Sequence, residues 1–461
     1  MHNTQQGDNM PLTTRREPNR LWHRFACMAL CAASLPAWAQ ASGTAAAGNA
    51  PAPALAAALD SDPVRMGWMQ GFPPAPDKLI THTPGGDKFP RNRWLFSHIR
   101  ELGPTAAVWR GNGPASPLPR AERDIGKVPF TDADGTRRTF DEMLALTYTD
   151  GILVMHKGKV IYERYFGALD GHTPHIAMSL TKSFVGTLAA MLAADGKLDP
   201  TAPVTRYLPE MAGTAYGDAT VREVMDMTIG VRYSEDYANP KAEVWDYARA
   251  GGMLARPAGY SGPPTFYDFL KTLQKEGEHD QVFAYKTVNA EVLAWIVRRA
   301  SGQSLARLLS ERLWQPMGAE HDAYFTVDSI GTESGGGGLN TTLRDLARFG
   351  ETIRGNGRFN GKQIVPAAVV ADIRRGGSRE QFASSGSAAA LPGWSYRDMW
   401  WVSHDDHGMF QAAGIHGQRI YIDPKAELTI VRYASHPVAA NAANNPITFR
   451  AFRALAETLM Q

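Results

Sequence analysis

Two β-rich runs with turn signals at their centres lie near opposite ends of this chain, and helix-periodic sequence fills the space between them. Residues 151–166 (GILVMHKGKVIYERYF) alternate around a His156-Lys157-Gly158-Lys159 turn, and residues 419–433 (RIYIDPKAELTIVRY) do the same around Asp423-Pro424-Lys425-Ala426. An isolated two-stranded hairpin is marginal in water, so each needs a larger sheet. Strands at both ends and helices in the middle predict one antiparallel sheet completed by both terminal parts of the chain. The expected class is α/β, with helices flanking that sheet and a mostly helical domain inserted into it. The middle supports this. From Ser179 onward, Phe184, Val185, Leu188, Met191 and Leu192 recur at core-helix spacing, and Asp195-Gly196 marks the end. Further helices are expected at 220–228, 266–276, 288–300, 303–313, 341–354 and 446–460.

The N-terminus reads as a secretory signal. Arg15, Arg16, Arg20 and Arg24 precede a short apolar run from Phe25 to Leu35, and Ala37-Trp38-Ala39 supplies an A-x-A cleavage site. The run is too short for a confident membrane span of about 20 residues, so no stable membrane insertion is expected after cleavage. The expected location is periplasmic or secreted. Both cysteines of the chain, Cys27 and Cys31, fall in the signal, so the mature protein has no thiol for disulfides, catalysis or zinc. Cleavage also removes four arginines and two acids, leaving 44 basic and 44 acidic residues. A balanced charge leaves no basic field for nucleic acid. The expected organisation is signal 1–39, flexible Ala/Pro-rich linker 40–60, first part of the α/β domain with an N-terminal wrapping segment 61–205, helical domain 206–335, and second part of the α/β domain 336–461.

Chemistry enters at Ser179-Leu180-Thr181-Lys182, an S-x-x-K motif that opens the first long helix. A residue three positions on lies on the same helix face, so the lysine amine reaches the serine hydroxyl. The helix N-terminus adds free N–H groups and a positive dipole end for a developing oxyanion. Such a lysine acts as a base only when neutral, and burial is what lowers its pKa. A fall from about 10.4 to near neutrality costs roughly 4 kcal/mol, which the fold must supply. Taken alone the motif is weak, since a chain this long holds roughly one or two by chance; its position at the head of a helix raises it.

Four ordered segments carry a family resemblance. HIAMSLTKSFVGTLAAMLAADGKLD resembles the first motif of the serine β-lactamase and penicillin-recognising superfamily. Phe283-Ala284-Tyr285-Lys286-Thr287-Val288-Asn289 resembles the Tyr-x-Asn box of its class C branch. Gly335 to Thr342, before RDLARFGETI, is similar to a third segment of that branch. Ala412-Ala413-Gly414-Ile415-His416-Gly417-Gln418 stands where the Lys-Thr-Gly strand lies. Together with MQGFPPAPD (69–77), GVRYSEDYANP (230–240), WSYRDMWWV (394–402) and GIHGQRIYIDP (414–424), these segments resemble most the branch containing 6-aminohexanoate-dimer hydrolases.

The resemblance implies Ser179 as nucleophile, Lys182 and Tyr285 as the groups that take and return its proton, and an oxyanion hole from the N–H groups of Ser179 and Ile415. It implies Tyr237 as a substrate contact, and Trp400, Trp401, Gly414 and His416 as lining of the cleft. Substrates would be small esters or linear amides, and no cofactor or metal is called for. Two departures matter. Thr287 replaces the asparagine of Tyr-x-Asn, with Asn289 nearby as a helix cap, and Ala412-Ala413 replaces the Lys-Thr that clamps a β-lactam carboxylate. A penicillin-binding or β-lactam-hydrolysing protein, or a catalytically silent cell-wall binder, is therefore the alternative reading. His404 and His407, flanking Asp405-Asp406, read as an exposed turn. No G-x-S-x-G or dinucleotide fingerprint is present. The Gly335–Gly338 run lacks a following Lys-Ser/Thr, so it reads as backbone that passes close to the cleft and not as a phosphate loop.

Overall fold

The computed structural model describes residues 55–81, 86 and 88–461. The expected signal, residues 1–39, and most of the expected linker lie outside these. The linker's last residues, Leu55–Asp60, form a short helix.

The predicted sheet is built from the two hairpins and what joins them. Its strands are β1 (Thr149–His156), β2 (Lys159–Tyr165), β3 (Ser395–Arg397), β4 (Trp400–Val402), β5 (Phe410–Gly414), β6 (Gln418–Asp423) and β7 (Leu428–Ala434). They run antiparallel in the order β3-β4-β5-β6-β7-β1-β2. The first hairpin turns on Lys157 and Gly158, both at positive φ (+51° and +76°). That is the two-residue geometry whose twist matches paired strands. The two hairpins meet where β7 pairs with β1, Arg432 opposite Ile152 and Ile430 opposite Val154. Every residue of β1 is buried, so this strand lies inside the sheet, between β7 and β2, and is covered on both faces.

Each face of the sheet carries a helix layer. On one side lies α3 (Leu343–Arg354), where Gly350 lets the helix approach the side chains of Thr429, Ile420 and Val431. On the other lies α4 (Asn445–Met460), whose Phe452 ring meets Tyr421 at 5.3 Å. Between Val204 and Trp314 all the regular elements are helical. The longest of them is α2 (Thr287–Ser301), ended by Gly302 at φ +69°. A second, four-stranded antiparallel sheet joins Thr105–Val108, Ala323–Thr326, Leu339–Thr341 and His175–Ile176, the last leading directly to Ser179.

The helix that carries the S-x-x-K motif is α1 (Leu180–Ala194), and it is buried on every face from Leu180 to Leu192. Its apolar spacing marked only one face, on which Phe184 stacks against Phe349 of α3 at 3.8 Å. Away from that face, the β3–β4 turn passes over Gly186. A Cβ at Gly186 would lie 2.1 Å from the Asp398 carbonyl oxygen. Gly186→Ala, which ordinarily favours a helix by up to about 1 kcal/mol, should therefore destabilise this protein by about 1–3 kcal/mol. Urea unfolding checks this; an unchanged or higher midpoint would contradict the close packing of α1 under the turn.

Candidate active site

Ser179 sits at the N-cap of α1 after Met178, which the chain holds at φ +50°. A serine there ordinarily caps the helix with its own oxygen. This one makes no side-chain cap, and its Oγ instead accepts a hydrogen bond of 2.7 Å from Lys182 Nζ. The same amine donates to the Gly336 carbonyl at 2.5 Å and lies 5.3 Å from the centre of the Tyr285 ring. Lys182 is 1% exposed. Burial pushes it down to about 8, against the opposing charges of Glu235 and Glu291. Holding it there costs about 3 kcal/mol.

Tyr285 stands just before α2 and is half-buried, its ring stacked on Trp401 at 5.3 Å. Burial and the nearby Glu235 carboxylate raise its phenol well above the usual tyrosine range, while a hydrogen bond with the Ser179 side chain pulls the other way. Ser179, Lys182 and Tyr285 therefore converge, although the third comes from a segment about 100 residues downstream of the first two.

Two carboxylates not anticipated from the sequence hold this arrangement. Glu291 on α2 is 1% exposed and accepts four hydrogen bonds. They come from Tyr247 Oη (2.7 Å), Ser334 Oγ (2.9 Å), Gly335 N (2.9 Å) and Gly336 N (2.8 Å). It thereby fixes the two peptides that lead into Gly336, whose carbonyl grips Lys182. A Cβ at Gly336 would come within 2.6 Å of Thr287 and 2.9 Å of Glu291, which explains the glycine run as a close passage of backbone. Glu235 caps the start of α2, accepting from Thr287 N and Thr287 Oγ1, both at 2.6 Å. It also accepts from Tyr237 Oη at 2.7 Å. An anion at a helix N-terminus is favourable, and here it joins Tyr237 to the helix that follows Tyr285. Neither glutamate has a motif to announce it; Glu291 stands out only as an acid set in apolar helix sequence.

The end of β5 lies against the backbone of Ser179. A Cβ at Gly414 would fall 2.7 Å from the Ala177 carbonyl and 3.0 Å from Ser179 N. Ile415 follows in a tight turn that Asn441 clamps, donating Nδ2 to the Gly414 carbonyl (2.9 Å) and accepting from Gly417 N (3.1 Å). His416 in this turn is at φ +63°, with Nδ1 bonded to the His436 carbonyl at 2.7 Å.

Several expectations need correction. Trp400 does not line the cleft. It is fully buried in the core, with Nε1 donating to Thr187 at 3.2 Å, because strand alternation sends it to the face opposite Trp401. Asn289 does not cap α2; Lys286 holds the N-cap position, and Asn289 is buried, accepting from Tyr216 Oη at 2.7 Å. The turn at Asp405-Asp406 is exposed, but His407 is buried, its Nδ1 bonded to Asp423 at 2.6 Å. Among the described residues, no group of three or more His, Cys, Asp or Glu side chains could hold a metal ion.

The chain is similar to known proteins along most of its length. Residues 137–452 match the Beta-lactamase family. The chain is 37% identical over 350 residues to a 6-aminohexanoate-dimer hydrolase of Paenarthrobacter ureafaciens, covering 76% of this chain and 86% of that protein. It is 23% identical to Esterase EstB of Burkholderia gladioli over 349 residues, covering 60% of this chain and 83% of that protein. A solved structure described as "Putative 6-aminohexanoate-dimer hydrolase from Bacillus anthracis" superposes with a TM-score of 0.77 at 31% identity, covering 84% of this chain and 98% of that one.

The Glu291 charge raises the Lys182 pKa. Glu291→Gln should therefore shift the Lys182 amine titration to below about 8, measured by NMR of labelled lysine. A titration that stays in place or rises would remove Glu291 from the electrostatics of the site.

Proposed function

The chain belongs to the β-lactamase family of serine hydrolases, and from that footing we propose that Ser179 is its nucleophile, Lys182 the base and Tyr285 the proton relay. The observation that carries the reading is the 2.7 Å hydrogen bond from a buried lysine to a serine hydroxyl left uncapped at a helix start. A lysine near 8 is neutral in a useful fraction at physiological pH. Tyr285, raised well above its ordinary range, stays protonated, which suits it to pass a proton and not to remove one.

In this reading Lys182 takes the Ser179 proton as Oγ attacks the substrate carbonyl. Negative charge develops on the carbonyl oxygen between the N–H groups of Ser179 and Ile415, which the close passage at Gly414 brings near each other. The tetrahedral intermediate collapses as Tyr285 protonates the leaving amine or alcohol and recovers a proton from Lys182. Water then cleaves the acyl-enzyme by the same groups in reverse. Tyr237, Trp401, Gly414 and His416 border the path to Ser179.

The substrate class is a small ester or a linear amide, with 6-aminohexanoate oligomers among the amides; the relative from Paenarthrobacter ureafaciens is named for the dimer. β5 ends in Ala412-Ala413-Gly414 and offers neither a cation nor a hydroxyl to a β-lactam carboxylate. That disfavours β-lactam hydrolysis. No helix among the described residues is long and apolar enough to cross a membrane. With the Arg-rich, A-x-A-terminated N-terminus, the enzyme is proposed to act outside the cytoplasm, in the periplasm or secreted.

Ser179→Ala should abolish both fluorophosphonate labelling and nitrophenyl-ester turnover, and wild-type enzyme should turn over nitrophenyl esters far faster than nitrocefin. Labelling that persists in the variant would overturn the nucleophile, and faster nitrocefin turnover would overturn the substrate class.

A further inference from the structure

Two arginines lie side by side in the sheet with no acid paired to them among the described residues. Arg419 on β6 and Arg432 on β7 are cross-strand partners, so both side chains leave the sheet on the face covered by α4. They are 1% and 0% exposed. Arg419 donates to Gln411 Oε1 (2.9 Å) and Asn445 Oδ1 (2.7 Å). Arg432 donates to the Gly417 carbonyl and to the hydroxyls of Thr147 and Thr448, each at 3.1 Å. Every one of these oxygen acceptors is neutral. Phe449 and Phe452 lie over the guanidinium groups at 5.4 and 5.7 Å. Other buried arginines of this chain are paired: Arg93 with Asp150 at 3.5 Å and Arg348 with Asp345 at 2.9 Å.

A guanidinium cannot escape burial by losing its proton. Two such charges in an apolar layer, repelling each other, need a counter-charge. The local donors that lack a partner show where it belongs. Arg419 Nε, Arg432 Nη2 and Asn444 Nδ2 are buried donors that make no hydrogen bond, and the acceptor Asn444 Oδ1 beside them also makes none. The residues that carry them are linked through short contacts. Arg432 Nη2 is 3.3 Å from where a Gly417 Cβ would stand. Gly417 N is bonded to Asn441 Oδ1, and Asn444 N to the Asn441 carbonyl at 2.9 Å. Asn444 is the N-cap of α4, and Asn445, its neighbour, already holds Arg419. The 16-residue helix also directs its positive dipole end here.

We propose that the layer between the sheet and the start of α4 binds a small monovalent anion of the halide class, held by Arg432 Nη2, Arg419 Nε and Asn444 Nδ2. The aromatic lining and complete burial select a small, weakly hydrated ion over phosphate or sulfate. The anion lies behind the 414–417 turn, one hydrogen bond away through Arg432 Nε and the Gly417 carbonyl. It would thus brace, from the rear, the turn that presents Ile415.

Bromide, titrated into the full-length mature enzyme in sodium gluconate at fixed ionic strength, is the probe. Gluconate is too large to enter. Bromide should raise Tm saturably by about 2–4 °C, and crystals grown in bromide should show an anomalous peak within about 3.5 Å of the Arg432 guanidinium. Arg432→Met should lose the bromide response. If that variant does not fold, the wild-type diffraction decides alone. A water at that position, bromide peaks only elsewhere, or a Tm indifferent to bromide would each overturn the proposal.

Discussion

The arrangement depends on an amine kept out of water. Lys182 is useful to Ser179 only because α1 is enclosed on all sides, and that enclosure is what draws its pKa down to about 8. Burial this complete would leave an ammonium stranded if nothing accepted its protons. The Gly336 carbonyl and Ser179 Oγ both do. Much of the surrounding structure can be understood as service to this one group. The glycine run lets a carbonyl approach, Glu291 pins the adjoining peptides, and Gly186 lets the β3–β4 turn close over the helix.

The carboxylates set the balance. Glu235 and Glu291 oppose the desolvation of Lys182, so the amine stops near 8 and does not fall further. The same Glu235 charge helps keep Tyr285 protonated. Glu235 thus raises both groups, and it is burial that separates them, lowering the lysine toward a base and raising the tyrosine toward a donor. That separation is the physical distinction on which acid–base roles rest.

The sheet was legible because hairpin chemistry is local: alternation, a Lys-Gly turn and an Asp-Pro turn all lie within about 15 residues. Ser179-Lys182 was legible for the same reason, as one helical turn. Tyr285 needed the family resemblance, since nothing local brings it to Ser179. Glu291, Glu235 and Asn441 were hidden because the contacts that tie them to the site, to Gly336, Thr287 and Gly414, are with residues 45, 52 and 27 positions away in sequence. Trp400 and Trp401 show the limit of pattern. Alternation says that one faces the core, but only the pairing of β4 with β5 and the position of α1 decide which. Asn289 was misplaced because α2 begins at Thr287, where Glu235 supplies the cap.

The most direct measurement is the pH dependence of acylation, followed by the burst of a nitrophenyl ester in wild-type enzyme and in Lys182→Met. If neutral Lys182 is the base, the wild-type rate rises about tenfold per pH unit below about 8 and levels above it. The variant should be slower by about 10²-fold or more and should lack that limb. A wild-type rate that is flat between pH 6 and 9, or a limb that survives in Lys182→Met, would contradict the account.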